Sequence, residues 1–329
     1  MIKPIALTCG DPNGVGIDLS FEAAKKLNGT LPFFLIADQL HLGQRCAGQP
    51  FEVITHPTQS LETKAGVLAV LDHPFKHAPT LQGMQPNNAQ DIIDVIERGV
   101  QLVQNGSAGA LCTNPIHKRV LQVGAQFAFP GHTEFLAHLA GQESSVMMLL
   151  CDQLRVVPVT IHIALHDVAR VLSPTLLRET IITTHAAMIR DFGIATPRIA
   201  IAGLNPHAGE QGAFGREEIE LMSPVITELR TKGMVISDPM SADTMFHPQA
   251  REKYDVAVCM YHDQALIPIK TIDFFGGVNA TLGLPFIRTS PDHGTAFDLA
   301  GTRDANPESL IAALNTAASM AKARDTHGS

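Results

Sequence analysis

The chain has 329 residues, of which 45% are hydrophobic and 17% charged. That is the balance of an ordinary soluble globular protein, long enough for a large core and two lobes. Its 24 Lys and Arg against 32 Asp and Glu leave a formal charge of −8, which excludes a general nucleic-acid binder but leaves room for an anionic ligand in a locally positive cleft. No run reaches ~18 uninterrupted apolar residues, and Met1-Ile2-Lys3-Pro4 opens no long apolar h-region. The expectation is a cytoplasmic protein with no membrane span and no signal peptide.

The five cysteines, Cys9, Cys46, Cys112, Cys151 and Cys259, are odd in number and lack CxxC spacing. They are expected to be small buried hydrophobes of a reducing compartment rather than disulfides or thiolate ligands.

In chain order, strand-like and helix-like segments alternate, which predicts an α/β fold with a largely parallel sheet. Short apolar runs at 5–8 and 33–37 read as strands, with a helix near 19–27 between them. Ile92, Ile93, Ile96, Val100 and Val103 have helical spacing over 89–103, and 108–112 follows as a strand. Thr133 is a candidate cap for a helix through Leu136 and Ala137. A strand is predicted over 154–161. The clearest helix runs over 174–192, with Ser173 as N-cap, Pro174 at the first position, Gly193 at the C-terminus, and Leu176, Leu177, Ile181, Ile182, Ala186 and Ile189 on its buried face. Residues 198–203 and 255–261 read as strands, and 217–231 as a helix ended by Gly233. A last helix over 307–323 turns Leu310, Ile311, Leu314 and Met320 inward, leaving a frayed polar tail at 324–329.

Three histidines end three of these apolar runs: His162, His207 and His262. Ligands bind outside the carboxyl ends of strands in open α/β sheets, and neutral imidazole is a common ligand of divalent transition metals. Each histidine alone is more often a satisfied rim residue. Three at strand ends, converging, would leave open coordination positions for a substrate. His162 and His166 lie four apart, but Ile163 stands where a zincin has glutamate.

Other motifs are weighed the same way. Gly10-Asp11-Pro12-Asn13-Gly14-Val15-Gly16 is neither GxGxxG nor a Walker loop, and is either a plain turn or a ligand-contacting loop. Gly131-His132-Thr133-Glu134 is a helix cap or an anion-receiving helix N-terminus. Lys270 and Arg288 are isolated cations in apolar surroundings, serving salt bridges or a phosphorylated or carboxylated substrate. Residues 292–301 form a polar, glycine-containing loop in which His293, Thr295 and Asp298 exceed what turn chemistry needs.

These motifs carry a resemblance. Gly131–Glu134, Leu204-Asn205-Pro206-His207-Ala208-Gly209-Glu210, Met260-Tyr261-His262-Asp263-Gln264 and the long segment 277–290 resemble the 4-hydroxythreonine-4-phosphate dehydrogenase family, nearly end to end. The 292–301 loop resembles the adenosine-binding loop of the wider isopropylmalate/isocitrate dehydrogenase superfamily, which lacks GxGxxG. The implied fold is isopropylmalate dehydrogenase-like: two α/β/α lobes with a cleft between them. The expected division is 1–126 plus 285–329 as a terminal lobe on the cofactor side, and 127–284 as a central lobe carrying metal, substrate and dimer contacts.

The resemblance implies oxidation of 4-phosphooxy-L-threonine by NAD or NADP. Decarboxylation then gives 3-amino-2-oxopropyl phosphate for pyridoxal 5′-phosphate synthesis. It implies a homodimer with a shared site, with no nucleic acid and no membrane involved. The implied ligands of a divalent cation (zinc, cobalt or magnesium) are His162, His207 and His262, the last donated across the dimer. Nitrogen ligands favour zinc or cobalt. Implied substrate contacts are His132, Thr133, Lys270, Asn279 and Arg288; His293, Gly294, Thr295 and Asp298 lie near the nucleotide. Lys270 is the candidate for proton transfer or charge compensation, and Asp243 or Asp263 for orienting a ligand or the amine.

The chain departs from the family pattern at Val15-Gly16-Ile17-Asp18, at Thr113-Asn114-Pro115 and at His166. None of these removes an implied ligand, and His166 is a candidate to tune or extend the site. The alternatives are a dehydrogenase of threonate or erythronate 4-phosphate, a phosphate acyltransferase on a related fold, and a catalytically silent binding protein.

Overall fold

The computed structural model describes residues 3–78, 83–302 and 304–327. The chain divides into two compact units, Met1–Ser144 with Leu284–Lys322, and Ser145–Gly283 with Ala323–Ser329.

The chain begins in the first unit with β1 (Ile5–Thr8), α1 (Gly16–Leu27), β2 (Phe33–Ala37), α2 (Gln39–Arg45), β3 (Phe51–Ile54) and β4 (Leu68–Asp72). It continues through α3 (Ala89–Gln104), β5 (Ala110–Thr113), α4 (Lys118–Ala125) and α5 (His132–Leu139). In β1, β2 and β5 every residue is buried, as expected of parallel strands covered on both faces. Ile92, Ile93, Ile96 and Val100 form the buried stripe of α3. Gly99 lets that helix sit close, because a Cβ there would lie 2.7 Å from Leu111 Cδ1.

The second unit contains β6 (Val146–Cys151), β7 (Leu154–Pro158), α6 (Val168–Val171), α7 (Pro174–Arg190), β8 (Arg198–Ala202) and α8 (Ser223–Thr231), the last entered through a π-helical turn at Glu218–Met222. It ends with β9 (Val235–Met240), α9 (Pro248–Arg251), β10 (Val256–Cys259), α10 (His262–Ile272) and β11 (Val278–Leu282). Its strand order is β11-β6-β7-β10-β8-β9. β7, β10, β8 and β9 are mutually parallel, while β6 is antiparallel to both its neighbours. Leu149, Val156, Ala200, Ala257, Ala265 and Ile269 belong to its core.

The chain then returns to the first unit with β12 (Arg288–Pro291), and α11 (Glu308–His327) follows. The first unit's sheet runs β3-β4-β2-β1-β5-β12, all parallel.

Several expectations need correction. The strand predicted over 154–161 stops at Pro158, leaving His162 on a loop. α7 has its Ser173 cap, whose Oγ accepts from Leu176 N at 3.2 Å. Its buried face, however, is Leu177, Thr180, Ile181, Thr184, Ala187 and Met188, while Ile182, Ala186 and Ile189 are exposed. The stripe admits Thr180 because its hydroxyl turns back to its own helix, Oγ1 donating to Leu176 O at 2.9 Å. Gly131 is the N-cap of α5, not Thr133, which lies inside the first turn. Residues 324–327 continue α11 instead of fraying, and Arg324 Nε meets Asp191 Oδ1 at 2.6 Å. Pro268 sits inside α10, although an internal proline usually breaks a helix. All five cysteines are free and buried. Among the described residues, no helix is long and apolar enough to cross a membrane.

Candidate active site

Because β7, β8 and β10 are parallel, their carboxyl ends share one edge, and His162, His207 and His262 follow those ends. The β7–β10 pairing continues past both strands. Val159 N donates to Cys259 O at 2.8 Å, and Thr160 Oγ1 donates to Met260 O at 2.8 Å. That register brings His162 and His262 together, with ring centroids 5.9 Å apart and planes inclined at 43°. The two rings line a hollow of about 320 Å³ with Ile161, Leu165, Val168 and Tyr261. His262 Nδ1 lies 2.7 Å from Asp263 Oδ1. A carboxylate accepts, so the ring proton facing it sits on Nδ1, and in a neutral imidazole that arrangement leaves the Nε2 lone pair free for a ligand. His166 is exposed, its Nε2 3.5 Å from Asp167 Oδ2.

His207 stands on a different kind of backbone. His207, Ala208, Gly209, Glu210 and Gln211 all have positive φ, between 41° and 78°. Four of the five are not glycine, and each such residue is disfavoured by ~1–2 kcal/mol. A left-handed turn of this kind persists only where its surroundings over-determine it. Glu218, buried, does much of that: its Oε1 accepts from Asn205 N at 2.8 Å and its Oε2 from Asn205 Nδ2 at 3.0 Å. Gly203 also leaves room, since a Cβ there would meet Ala208 Cα at 2.8 Å. Buried Gln264 joins the neighbouring strand ends: its Oε1 accepts from Met260 N at 2.7 Å, and its Nε2 donates to Gly203 O at 2.7 Å. Asp243 accepts from Ser241 Oγ and also feels His207, and both hold its carboxyl below the usual range.

Among the described residues, no three or more His, Cys, Asp or Glu side chains of one chain assemble as a metal site. Within one chain, His162 and His262 are the two of these three histidines in ring contact. Lys270, in the last turn of α10, sets its Nζ 5.2 Å from the centre of the Phe274 ring. Asn279 pairs in register with Leu149 on β11, and its Oδ1 is buried with no hydrogen-bond partner among the described residues.

The first unit gathers the other candidates. Arg288 is only 3% exposed, and its Nη2 donates to Thr113 Oγ1 at 2.7 Å. Burial lowers its pKa to about 10. His132 opens α5, and its buried Nε2 has no partner among the described residues. Desolvation, then the cations Arg288 and Lys118, hold its imidazole well below the usual range and therefore neutral. Lys118 passes the α5 N-cap, where a Cβ on Gly131 would lie 3.3 Å from Lys118 Cε. A helix N-terminus with two cations and a neutral imidazole suits an anion. Thr133 lies in the same first turn.

In the 292–301 loop, His293 Nδ1 is 3.0 Å from Gly294 O, Gly294 and Asp298 are exposed, and Thr295 is buried. Val15 N donates to Thr295 O at 2.8 Å, so the loop is laid against the glycine-rich turn after β1. Asp11 of that turn is buried, which raises its carboxyl to about 6. Gln264, Glu218 and Lys118 were not singled out from sequence. Gln264 alone carried a signal, as a polar residue following an apolar strand.

Residues 30–317 match the family model described as pyridoxal phosphate biosynthetic protein PdxA. A relative from Roseobacter denitrificans called 4-hydroxythreonine-4-phosphate dehydrogenase is 56% identical over 319 residues, 97% of each chain. One of the same name from Paracoccus denitrificans is 54% identical, covering 98% of this chain and 99% of its own. The crystal structure of 4-hydroxythreonine-4-phosphate dehydrogenase from Klebsiella pneumoniae is similar at a TM-score of 0.89 and 35% identity, covering 97% of this chain and 99% of that one. The chain belongs to the PdxA family of pyridoxal phosphate biosynthetic proteins.

Proposed function

We propose that this chain oxidises 4-phosphooxy-L-threonine with NAD or NADP, and that the β-keto acid formed loses carbon dioxide to give 3-amino-2-oxopropyl phosphate, a precursor of pyridoxal 5′-phosphate. The full-length relatives named for this substrate support the reading. The observation that carries it in the chain itself is the second unit's rim. Three histidines follow parallel strand ends, with Asp263 against His262 and Asp243 within the field of His207.

That donor set fits a divalent cation, because a ligating imidazole needs one nitrogen fixed and the other bare. His162, His207 and the partner's His262 would hold it, in a homodimer with a shared site. Zinc or cobalt suits nitrogen donors better than magnesium. When bound, the cation supplies Lewis acidity, and the nicotinamide accepts hydride. The phosphate is held by Arg288, by neutral His132 donating a hydrogen bond, and by Thr133 with the first-turn amides of α5. Asn279 Oδ1 offers an acceptor to a donor group of the substrate. Lys270 compensates the charge that develops as carbon dioxide departs, or delivers the proton that replaces it. His293, Gly294, Thr295 and Asp298 face the nucleotide. Catalysis takes place in the cytoplasm.

The test is nicotinamide reduction with 4-phosphooxy-L-threonine, before and after chelation, with carbon dioxide measured alongside and threonate 4-phosphate as competitor. Chelator-sensitive reduction with matching carbon dioxide release is expected. Turnover that ignores the chelator, or that prefers the sugar acid, would contradict the reading.

A further inference from the structure

We propose that Asp18, gripped by Arg45, is a positioning residue for the nucleotide: it locks the 292–301 loop to the glycine-rich turn after β1. The proposal rests on reading the 292–301 loop as a nucleotide contact.

The brace starts in α2. Asp38 caps that helix, its Oδ1 accepting from His41 N at 2.8 Å. His41 and Arg45 are four residues apart, so they share one face of α2. Both reach the same carbonyl: His41 Nε2 lies 2.9 Å from Pro12 O, and Arg45 Nη1 donates to it at 2.5 Å. Arg45 Nη2 donates to Gly14 O at 2.8 Å and to Asp18 Oδ2 at 2.7 Å. One guanidinium thus satisfies two loop carbonyls and one carboxylate, a use of its planar fork that a lysine cannot copy.

Asp18 carries the brace across to the other loop. The same Oδ2 accepts from Gly301 N at 3.0 Å. Val15 N donates to Thr295 O at 2.8 Å, and a Cβ on Gly14 would come within 3.0 Å of the same oxygen. The segment 295–301 is therefore tied at both ends, once by backbone to Val15 of the turn and once to the Asp18 carboxylate on α1, which Arg45 joins to Gly14 O of the turn. The side chains of Arg45 and Asp18 are only 4% and 16% exposed, so water is a poor substitute for either partner. Loosening this brace frees Thr295 and Asp298 without touching the groups assigned to the alcohol or the phosphate.

Hydrogen exchange and kinetics together test it. In the unaltered enzyme, added NAD or NADP must slow amide exchange over 293–301; if neither does, the nucleotide reading of the loop fails, and the brace with it. Given that protection, Asp18→Ala is expected to raise the nucleotide KM by about tenfold or more, with kcat and the KM for the phosphorylated substrate moving less than about threefold. Exchange over 295–301 should quicken in the nucleotide-free variant. Asp18→Glu should recover part of the loss, and Arg45→Lys should reproduce it. If Asp18→Ala does not fold, Arg45→Lys and Asp18→Asn carry the same comparison. Protection in the unaltered enzyme combined with an unchanged nucleotide KM in these variants overturns the proposal. So does a uniform fall in all parameters that tracks a lower Tm.

Discussion

His132 of the first unit and the rim histidines of the second are the same residue type put to opposite uses. His132 is desolvated beside Arg288 and Lys118, so its ring stays neutral and has a hydrogen bond to offer next to two cations. His162 and His207 are exposed on loops beyond their strands, and His262 is backed by a carboxylate. What a histidine does is set by burial and neighbours. The first arrangement suits an anion and the second a cation.

The sharpest way to break that contrast is His207→Ala. It should lower kcat/KM by about a hundredfold or more and lower the metal bound per chain; full turnover with unchanged metal content would end the cation assignment. On the other side, Arg288→Met should raise the KM of the phosphorylated substrate by about tenfold or more, with metal content unchanged. Asp263→Asn should weaken metal affinity by about tenfold while leaving the KM contribution of Arg288 intact.

The smallest effects are on stability. The folded pKa of His132 is lowered, so the unfolded chain takes up a proton first as pH falls below the ordinary imidazole value of 6.5. Protonation linkage at His132 therefore has almost no effect on stability at neutral pH and destabilises the fold progressively at more acid pH. Urea unfolding of His132→Gln at pH 7 and pH 5 should show a smaller loss between the two than the unaltered chain shows. A slope remains, because burial also lowers His41, His73 and His185. Asp11 has the opposite sign. Its carboxyl is raised from 3.8 to about 6, so its stabilising protonated form is lost as pH rises through that window. Asp11→Asn should accordingly gain about 1 kcal/mol or more at pH 7.

Much of this was legible in the sequence because periodicity and caps are local. Ile5–Thr8 and Phe33–Ala37 are strands as read, α3 keeps its stripe, and Ser173 caps α7. The buried face of α7 was misread because Thr180 and Thr184 look polar in a sequence yet one satisfies its hydroxyl within its own helix. The strand before His162 was read too long because nothing local marks where a parallel partner ends. Glu218 was invisible because its role depends on a left-handed turn formed nine residues earlier around Gly209, a conformation no local pattern announces. Arg45 and Gly301 are brought together only by tertiary structure, through Asp18.

The most direct test of the central claim is subunit complementation. His207→Ala and His262→Ala chains, each nearly inactive alone, are unfolded together, refolded and assayed. If the partner's His262 completes a site holding His162 and His207, half the dimers are mixed and half of their sites are whole, so activity should return to about a quarter of the unaltered value. A mixture that stays as inactive as its components, or a His262→Ala chain that keeps full activity, would contradict a cation shared between two protomers.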